Sequence, residues 1–463
     1  MIHTETATVD EIIGQAISVA KQTDEPQLVS AVDHIEPIDP FLFYAGAEVL
    51  KDTRLFWKSA DGDFVMAGVG TAATLTPSID ERFKDIQHQW KELMDRTHWF
   101  DSFEQKGTGP VAMGGFSFDP AKETTGLWSS FETSQLVIPN YLLTKVKGEC
   151  YFTINCLVYP DDHMEQLKFQ WEDTKNKLLK QRNYGFIAPE ILQQEEIKTE
   201  KWKQLVKQAT EDIEAGLMEK VVLAREMRLK FDENVNVSQV LQHLDDTQTN
   251  SYIFSFESGD AHFVGATPER LVKVENQQLL STCLAGTIPR GKTKEEDVRL
   301  GQELLQDEKN LEEHDFVVQM IRGAIESCGE NVEIPEAPVL YPLKNLQHLF
   351  TPVTARLKDG HTLLDIVERL HPTPAIGGLP RQVAMEYIKK HEPLDRGWYA
   401  GPVGWLDSNQ NGEFAVAIRS ALIKNDQASL FSGCGVVKDS DPDMEYQETA
   451  IKFTPMLGVL GGA

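Results

Sequence analysis

The stretch Tyr252-Ile-Phe-Ser-Phe-Glu-Ser-Gly-Asp-Ala-His-Phe-Val-Gly-Ala-Thr-Pro-Glu-Arg-Leu-Val-Lys-Val-Glu-Asn-Gln-Gln-Leu-Leu-Ser-Thr-Cys-Leu-Ala-Gly-Thr287 sets the architecture. Residues 252–256 are rich in aromatic side chains and read as a strand that precedes Phe263–Arg270. Asn276-Gln277 punctuates a hairpin that leads into a further strand at 281–287. Immediately upstream, Lys220-Val-Val-Leu-Ala-Arg225 is another strand-like run. It follows a helical stripe of Trp202, Val206, Ala209 and Ile213, with Gly216 as C-terminal cap. Downstream, Thr293 and Glu296 have capping-box spacing and predict one long helix reaching about Ile325. Strand patterns return at 398–406 and 414–423. Strand pairs on tight turns, with helices inserted, indicate an α+β layered fold with much antiparallel sheet.

Residues 1–182 mix strand-like runs at 55–57, 64–67 and 151–154 with helical patterns near 80–95 and 163–181. Val111-Ala-Met-Gly-Gly-Phe116 reads as a buried strand with close backbone contacts and not as a phosphate loop. Residues 189–200 are polar and predict an exposed crossing between the two portions. The boundary is placed at 195/196, with 1–195 and 196–463 expected to intertwine in one structural domain.

The chain has 463 residues, 41% hydrophobic and 25% charged, which suits a soluble globular protein. No apolar run approaches the ~18 residues that a membrane span requires, and the N-terminus lacks the basic start of a secretory signal. Five cysteines without a C-x-x-C pair read as reduced thiols, so a cytoplasmic location is expected. The net charge of −27 argues against nucleic acid or an anionic membrane as partner. For an anionic substrate, it also requires local cations or a metal in the site.

The C-terminal run Ser432-Gly-Cys-Gly-Val-Val437 leads into Asp441-Pro-Asp-Met-Glu-Tyr-Gln-Glu-Thr449. Asp441 is a natural N-cap and Pro442 a natural first helical residue. Glu445, Glu448 and Lys452 then share a face, suited to a divalent cation beside an anion. They equally suit a dipole-complementing first turn with an i, i+4 ion pair. Glu313 is expected on an apolar face with Phe316, Val317 and Met320, where an unpaired carboxylate is unusual; a glutamate at the border of that stripe, reaching for solvent, fits the same pattern. Arg419 is expected in a strand spanning 414–422, on a floor of alanines that would leave room for a bidentate grip on a carboxylate. A surface arginine on a solvated sheet face fits the same pattern. Lys220 shares a face with Val222 and Ala224, where desolvation would favour the neutral amine, although a lysine at a strand entrance is often simply solvated. Glu269 follows Thr267-Pro268; it would be fixed there, or paired with Arg270.

Taken in order, Lys220–Arg225, Gly265-Ala-Thr-Pro-Glu-Arg270, Ala285-Gly-Thr287, Lys309-Asn-Leu-Glu-Glu-His314, Leu346-Gln-His-Leu349, His371-Pro-Thr-Pro-Ala-Ile-Gly-Gly-Leu-Pro-Arg381, Tyr399-Ala-Gly401, Ala417-Ile-Arg419 and the C-terminal run resemble the chorismate-utilising enzymes. The match is closest to their isochorismate-forming branch and covers about residues 200–457. Residues 1–182 resemble the more variable N-terminal part of that fold. The resemblance implies a sandwich of large, mostly antiparallel sheets with helices outside. It implies Lys220 as the base that activates water and Glu269 as the acid that protonates the departing hydroxyl. Glu313 and Glu448 would ligate Mg²⁺, with Glu445 close by and acting through water. Arg419, Tyr399 and Lys452 would hold the carboxylates of chorismate, helped by Gly286, Thr287 and Gly433, with His348 against the ring.

Lys220 separates branches of the family, since relatives that aminate chorismate typically carry glutamine there, and no glutaminase subunit is then expected. Ala375 favours isochorismate formation over the salicylate-forming branch, which tends to carry a larger residue. The long N-terminal portion resembles versions that feed menaquinone; siderophore versions are usually shorter.

Overall fold

Alternation along the strands divides the apolar residues between two cores. In the computed structural model, which describes residues 2–3, 8–77, 81–122, 124–180, 189–342 and 346–462, Leu55, Trp57, Phe64 and Met66 point into one core. Their neighbours Phe56, Val65 and Ala67 point into the other. The first core lies between two sheets, because it also takes Val111, Met113, Val272, Val403, Trp405 and Phe414. The second lies between the outer face of the larger sheet and helices, including Ile12, Ile13, Leu167, Leu241 and Phe453. Trp57, Trp128 and Trp202 are fully buried, each worth roughly 4–6 kcal/mol at the usual area scale.

The larger sheet has fourteen strands among the described residues. Their order is Ile2–His3, Thr97–Phe100, Gln27–Ile35, Glu149–Val158, Tyr141–Val146, Phe64–Val69, Arg54–Lys58, Tyr252–Ser258, Ala261–Thr267, Ser420–Lys424, Gln427–Val436, Lys220–Phe231 and Ile191–Glu196; Gly378–Leu379 adds to Lys220–Phe231. Only the pairings of Thr97–Phe100 are parallel. The second sheet runs Gly329–Glu333, Leu346–Leu357, Gln278–Pro289, Arg270–Glu275, Gly412–Val416, Pro402–Asp407, Val111–Phe116, Ser134–Ile138 and Ala73–Leu75, with Val339–Pro342 on Leu346–Leu357. Strands from before and after residue 195 therefore sit side by side in both sheets. Among the described residues, no helix is long and apolar enough to cross a membrane.

Three expectations need correction. Residues 189–200 do not form a simple crossing: Ile191–Glu196 is an edge strand antiparallel to Lys220–Phe231. Its polar side chains reflect an exposed edge, which charge protects from further pairing. The helix expected from Thr293 to Ile325 is two helices, Lys294–Leu304 and Glu308–Cys328. Asp307 caps the second by accepting from Asn310 N at 2.8 Å, and Glu296 bonds Lys292 N, not the cap residue. Residues 414–423 are not one strand either. Gly412–Val416 belongs to the second sheet and Ser420–Lys424 to the first, so the chain changes sheets across Ala417-Ile418-Arg419. Arg419 makes that corner in the left-handed region, at φ 53°.

Candidate active site

Glycines in the Gln427–Val436 strand make room for two polar side chains of its neighbours. In the pairing with Lys220–Phe231, Gly435 lies opposite Val222 and Gly433 opposite Ala224. A Cβ on Gly435 would fall 2.7 Å from Lys220 Cε, and one on Gly433 would fall 3.2 Å from Tyr399 Oη. The helix that follows, Pro442–Val459, starts as its sequence demands. Asp441 accepts from the backbone N–H of Asp443 and of Met444, both at 3.0 Å.

That helix turns Glu445, Glu448 and Lys452 towards a cavity of about 720 Å³. The cavity is also lined by Lys220, Glu269, Gly286, Thr287, Glu313, His348, Ala375, Tyr399, Arg419 and Gly433. All thirteen residues singled out from the sequence thus border one space, although they come from both sheets and two helices. Lys220 Nζ donates to Glu313 Oε1 at 2.6 Å. Lys452 Nζ donates to Glu448 Oε1 at 2.5 Å and to Gly433 O at 3.0 Å. The i, i+4 pair is therefore formed, and the same lysine is anchored to the glycine-rich strand.

Glu313 takes the border position of the two placements expected for it. The inward face of its helix carries His314, Val317, Val318 and Ile321, whereas Phe316 is exposed and the Glu313 side chain is 45% accessible. Val317 is buried and Met320 packs against the core as expected, so Glu313 stands at the border of the apolar stripe and reaches the cleft. Arg419 sits at the crossing between sheets, not in a strand, which aims it at the seam where the cavity opens.

The electrostatics divide the site into an acid and a cationic wall. Burial pushes the Glu269 carboxyl up to about 7, even though Lys452, Arg419 and Lys220 pull it down. Burial, then Arg419 and Lys452, bring His348 down to about 4, so its ring is neutral; its Nδ1 lies 2.9 Å from Thr287 Oγ1. Tyr399 is raised by burial, stays a phenol and stacks on Phe431 at 5.3 Å. Burial also lowers Arg419, against the pull of Tyr399, Glu448 and Glu269.

Among the described residues, no three His, Cys, Asp or Glu side chains are grouped to hold a metal unaided. Magnesium does not need such a cage, since it takes one or two carboxylates together with water and substrate oxygens. Glu445 Oε1 accepts from Ser440 Oγ at 2.7 Å, but its buried Oε2 has no close hydrogen-bond donor, the Cys434 thiol being only a weak one to this carboxylate. A carboxylate oxygen so weakly satisfied beside Glu448 fits a cation well.

Among the other lining residues, Lys309, Asn310 and Ile376 lie in the segments quoted above without a role assigned, whereas Arg396 and Phe431 lie outside them. Arg396 had a signal, a charge within Asp395-Arg-Gly-Trp-Tyr-Ala-Gly401, an otherwise largely apolar or glycine-containing segment.

The chain, with its two largely antiparallel sheets and cation-lined, acid-bearing cleft, matches the family described as "Chorismate binding enzyme" over residues 15–461 and belongs to it. It is 40% identical to the isochorismate synthase MenF of Bacillus subtilis (strain 168), over 100% of this chain and 99% of that protein. It is 36% identical to the salicylate biosynthesis isochorismate synthase of Pseudomonas aeruginosa, over 100% and 96%. Its fold is that of MenF, the menaquinone-specific isochorismate synthase from Escherichia coli, with a TM-score of 0.79 at 24% identity, covering 97% of this chain and 100% of that one. Anthranilate synthase component I from Streptococcus pneumoniae TIGR4 shares the fold at TM-score 0.68 and 22% identity, covering 92% of each chain.

Proposed function

We propose that this protein is an isomerase that converts chorismate to isochorismate, with Lys220 as base and Glu269 as acid. The observation that carries the reading is a carboxyl pushed up to about 7 in the same cavity as a lysine that could activate water. Lys220 accepts a proton from water as the water oxygen bonds to C2. The ring diene shifts, the C4–O bond breaks with its electron pair, and Glu269 supplies the proton that lets the hydroxyl leave as water. The enzyme ends with the proton moved from Glu269 to Lys220, and solvent returns it. Turnover requires Lys220 Nζ to let go of Glu313 and present a free amine.

Chorismate is a dianion, and Arg419, Lys452 and the phenol of Tyr399 supply the grip that a chain of net charge −27 otherwise lacks. Mg²⁺, when bound, would add positive charge against the carboxylates; Glu313 and Glu448 are the residues to hold it, with Glu445 acting through water. Gly286, Thr287 and Gly433 offer backbone groups, and neutral His348 packs against the ring. Residues 1–195 complete the sheets, and 196–463 carry the chemistry. We assign the product to menaquinone synthesis in the cytoplasm. The long N-terminal portion and the full-length likeness to the B. subtilis enzyme support the first, and five free thiols suit the second.

The second reading is salicylate synthase, the branch that shares the lysine at position 220; the P. aeruginosa relative, by its name an isochorismate synthase, favours the first. Incubating purified protein with chorismate and Mg²⁺, with and without an ammonium salt, separates the branches by chromatography. A reversible chorismate–isochorismate mixture is expected, with no ammonia dependence. Salicylate and pyruvate accumulating in equal amounts, at the rate of chorismate loss, would establish a lyase; anthranilate appearing with ammonium would establish amination.

A further inference from the structure

We infer that the buried pair Glu392–Arg396 is a positioning clamp that sets Lys220 against the Tyr399 wall of the cavity; this deepens the reaction proposed above and rests on it. Both side chains are almost wholly buried, at 1% and 3% exposure. Arg396 Nε and Nη2 each donate to a different oxygen of Glu392 at 2.7 Å, a two-point fork. Each partner then reaches beyond the pair. Arg396 Nη2 donates to Val222 O at 2.7 Å and Nη1 to Ile376 O at 3.0 Å. Glu392 Oε2 accepts from Ala224 N at 2.7 Å. The Arg396 guanidinium lies 4.1 Å over the Phe118 ring.

These contacts join three walls of one site. Val222 and Ala224 follow Lys220 on the same strand. Ile376 borders the cavity beside Ala375. The backbone of Arg396 continues into the third wall: its carbonyl accepts from Tyr399 N at 2.8 Å, and Ala400 N donates to Ala417 O at 2.9 Å, two residues before Arg419. The pair therefore touches the segments carrying the base, the ring wall and the carboxylate grip without being one of those groups.

Burying two charges is unfavourable unless their geometry and remaining hydrogen bonds compensate, and apolar residues of equal volume often give equal stability. Apolar substitutes would leave Val222 O, Ile376 O and Ala224 N unpaired. They would also set only the spacing of the walls, whereas directional bonds set their register as well. An amine at position 396 would not reproduce this, since lysine keeps the charge but loses the planar fork and cannot serve both carbonyls and both carboxylate oxygens.

The test uses Glu392→Gln and Arg396→Lys in the full chain, with folding checked by circular dichroism and chorismate affinity measured separately from turnover. Both variants are expected to fold and to bind chorismate with a Kd within about threefold of the wild type. Their kcat should fall by roughly 10–100-fold, the scale of a small misplacement of reacting groups. The readout that a merely structural role would not move is coupling. In a Lys220→Ala background, Glu392→Gln should lower the residual turnover no further, because the clamp acts through the base. Near-normal kcat in either folded variant, Kd rising in step with the loss, or equal losses with and without Lys220 would overturn the clamp. Failure of both variants to fold would also overturn it and assign the pair to stability. A wild type with no turnover of chorismate would sink the reaction and the clamp together, whereas active wild type with active variants sinks the clamp alone.

Discussion

Lys220 and Glu313, 93 positions apart, meet at 2.6 Å and join the first residue of a sheet strand to the second turn of a helix beside the cavity. The lysine is mostly buried and the glutamate half exposed, so the pair closes one side of the cleft.

Lys220→Ala should lower kcat by about 10²–10⁴, the range for loss of a general base, with chorismate binding little changed. Chromatographic product assay beside equilibrium binding checks both. A folded variant that turns over normally would remove Lys220 from the chemistry.

Gly435→Ala tests the same amine without touching it. The added Cβ would sit 2.7 Å from Lys220 Cε, so the flexible side chain must move while the strand stays put. Thermal stability close to wild type with at least tenfold lower kcat is the expected outcome.

Glu269 gives a pH signature. Its acid role needs the protonated form, and its carboxyl is pushed up to about 7, so kcat/KM should fall as pH rises through about 7. Stability moves the same way. The folded carboxyl holds its proton over a window, about 4.5 to 7, in which the unfolded one has lost it, so the folded state loses stability as pH rises across that window. Glu269→Gln escapes that loss, so at pH 8 it should be more stable than wild type by up to about 3 kcal/mol, although its turnover is poor. Equal stability of the two proteins at pH 5 and pH 8 would contradict a raised carboxyl.

For the metal, EDTA should abolish activity and Mg²⁺ restore it. Glu313→Gln and Glu448→Gln should each weaken Mg²⁺ binding, measured calorimetrically, and lose turnover while folding normally. Full activity at ordinary Mg²⁺ in either variant would remove that residue from the metal site.

Arg419→Lys should raise KM for chorismate roughly 10–100-fold, the worth of a charge-assisted hydrogen bond, with a smaller change in kcat. Unchanged KM would leave the carboxylate to other groups.

The readable parts of this fold were those governed by local pattern. The N-cap at Asp441, the turn at Asn276-Gln277 and the alternation around Trp57 depend on neighbours in sequence. Three features were not readable locally. The break before Asp307 uses two caps about four turns apart within one amphipathic stretch, which periodicity alone merges. The exposure of Phe316 next to buried Val317 is decided by packing against distant strands. The sheet change at Arg419 places a non-glycine residue in left-handed backbone, against local preference, in an alternating run that otherwise reads as one strand. The candidate site was legible because its residues fall in separate motifs that keep their order. Arg396 and Glu392 were missed because only the folded chain shows three backbone segments converging on them.

The interleaving of strands also bears on how the molecule is made. Lys220's strand has the Gln427–Val436 strand as a neighbour, and Arg54–Lys58 lies against Tyr252–Ser258. A ribosome delivers these partners roughly 200 residues apart, so the early strands wait with open edges, and long-range pairing of this kind is slow. The final helix, bearing Glu445, Glu448 and Lys452, emerges last. Nascent chains therefore remain inactive and prone to edge-to-edge association until synthesis is nearly finished, and expression at lower temperature, with slower translation and more chaperone per chain, should raise the soluble yield.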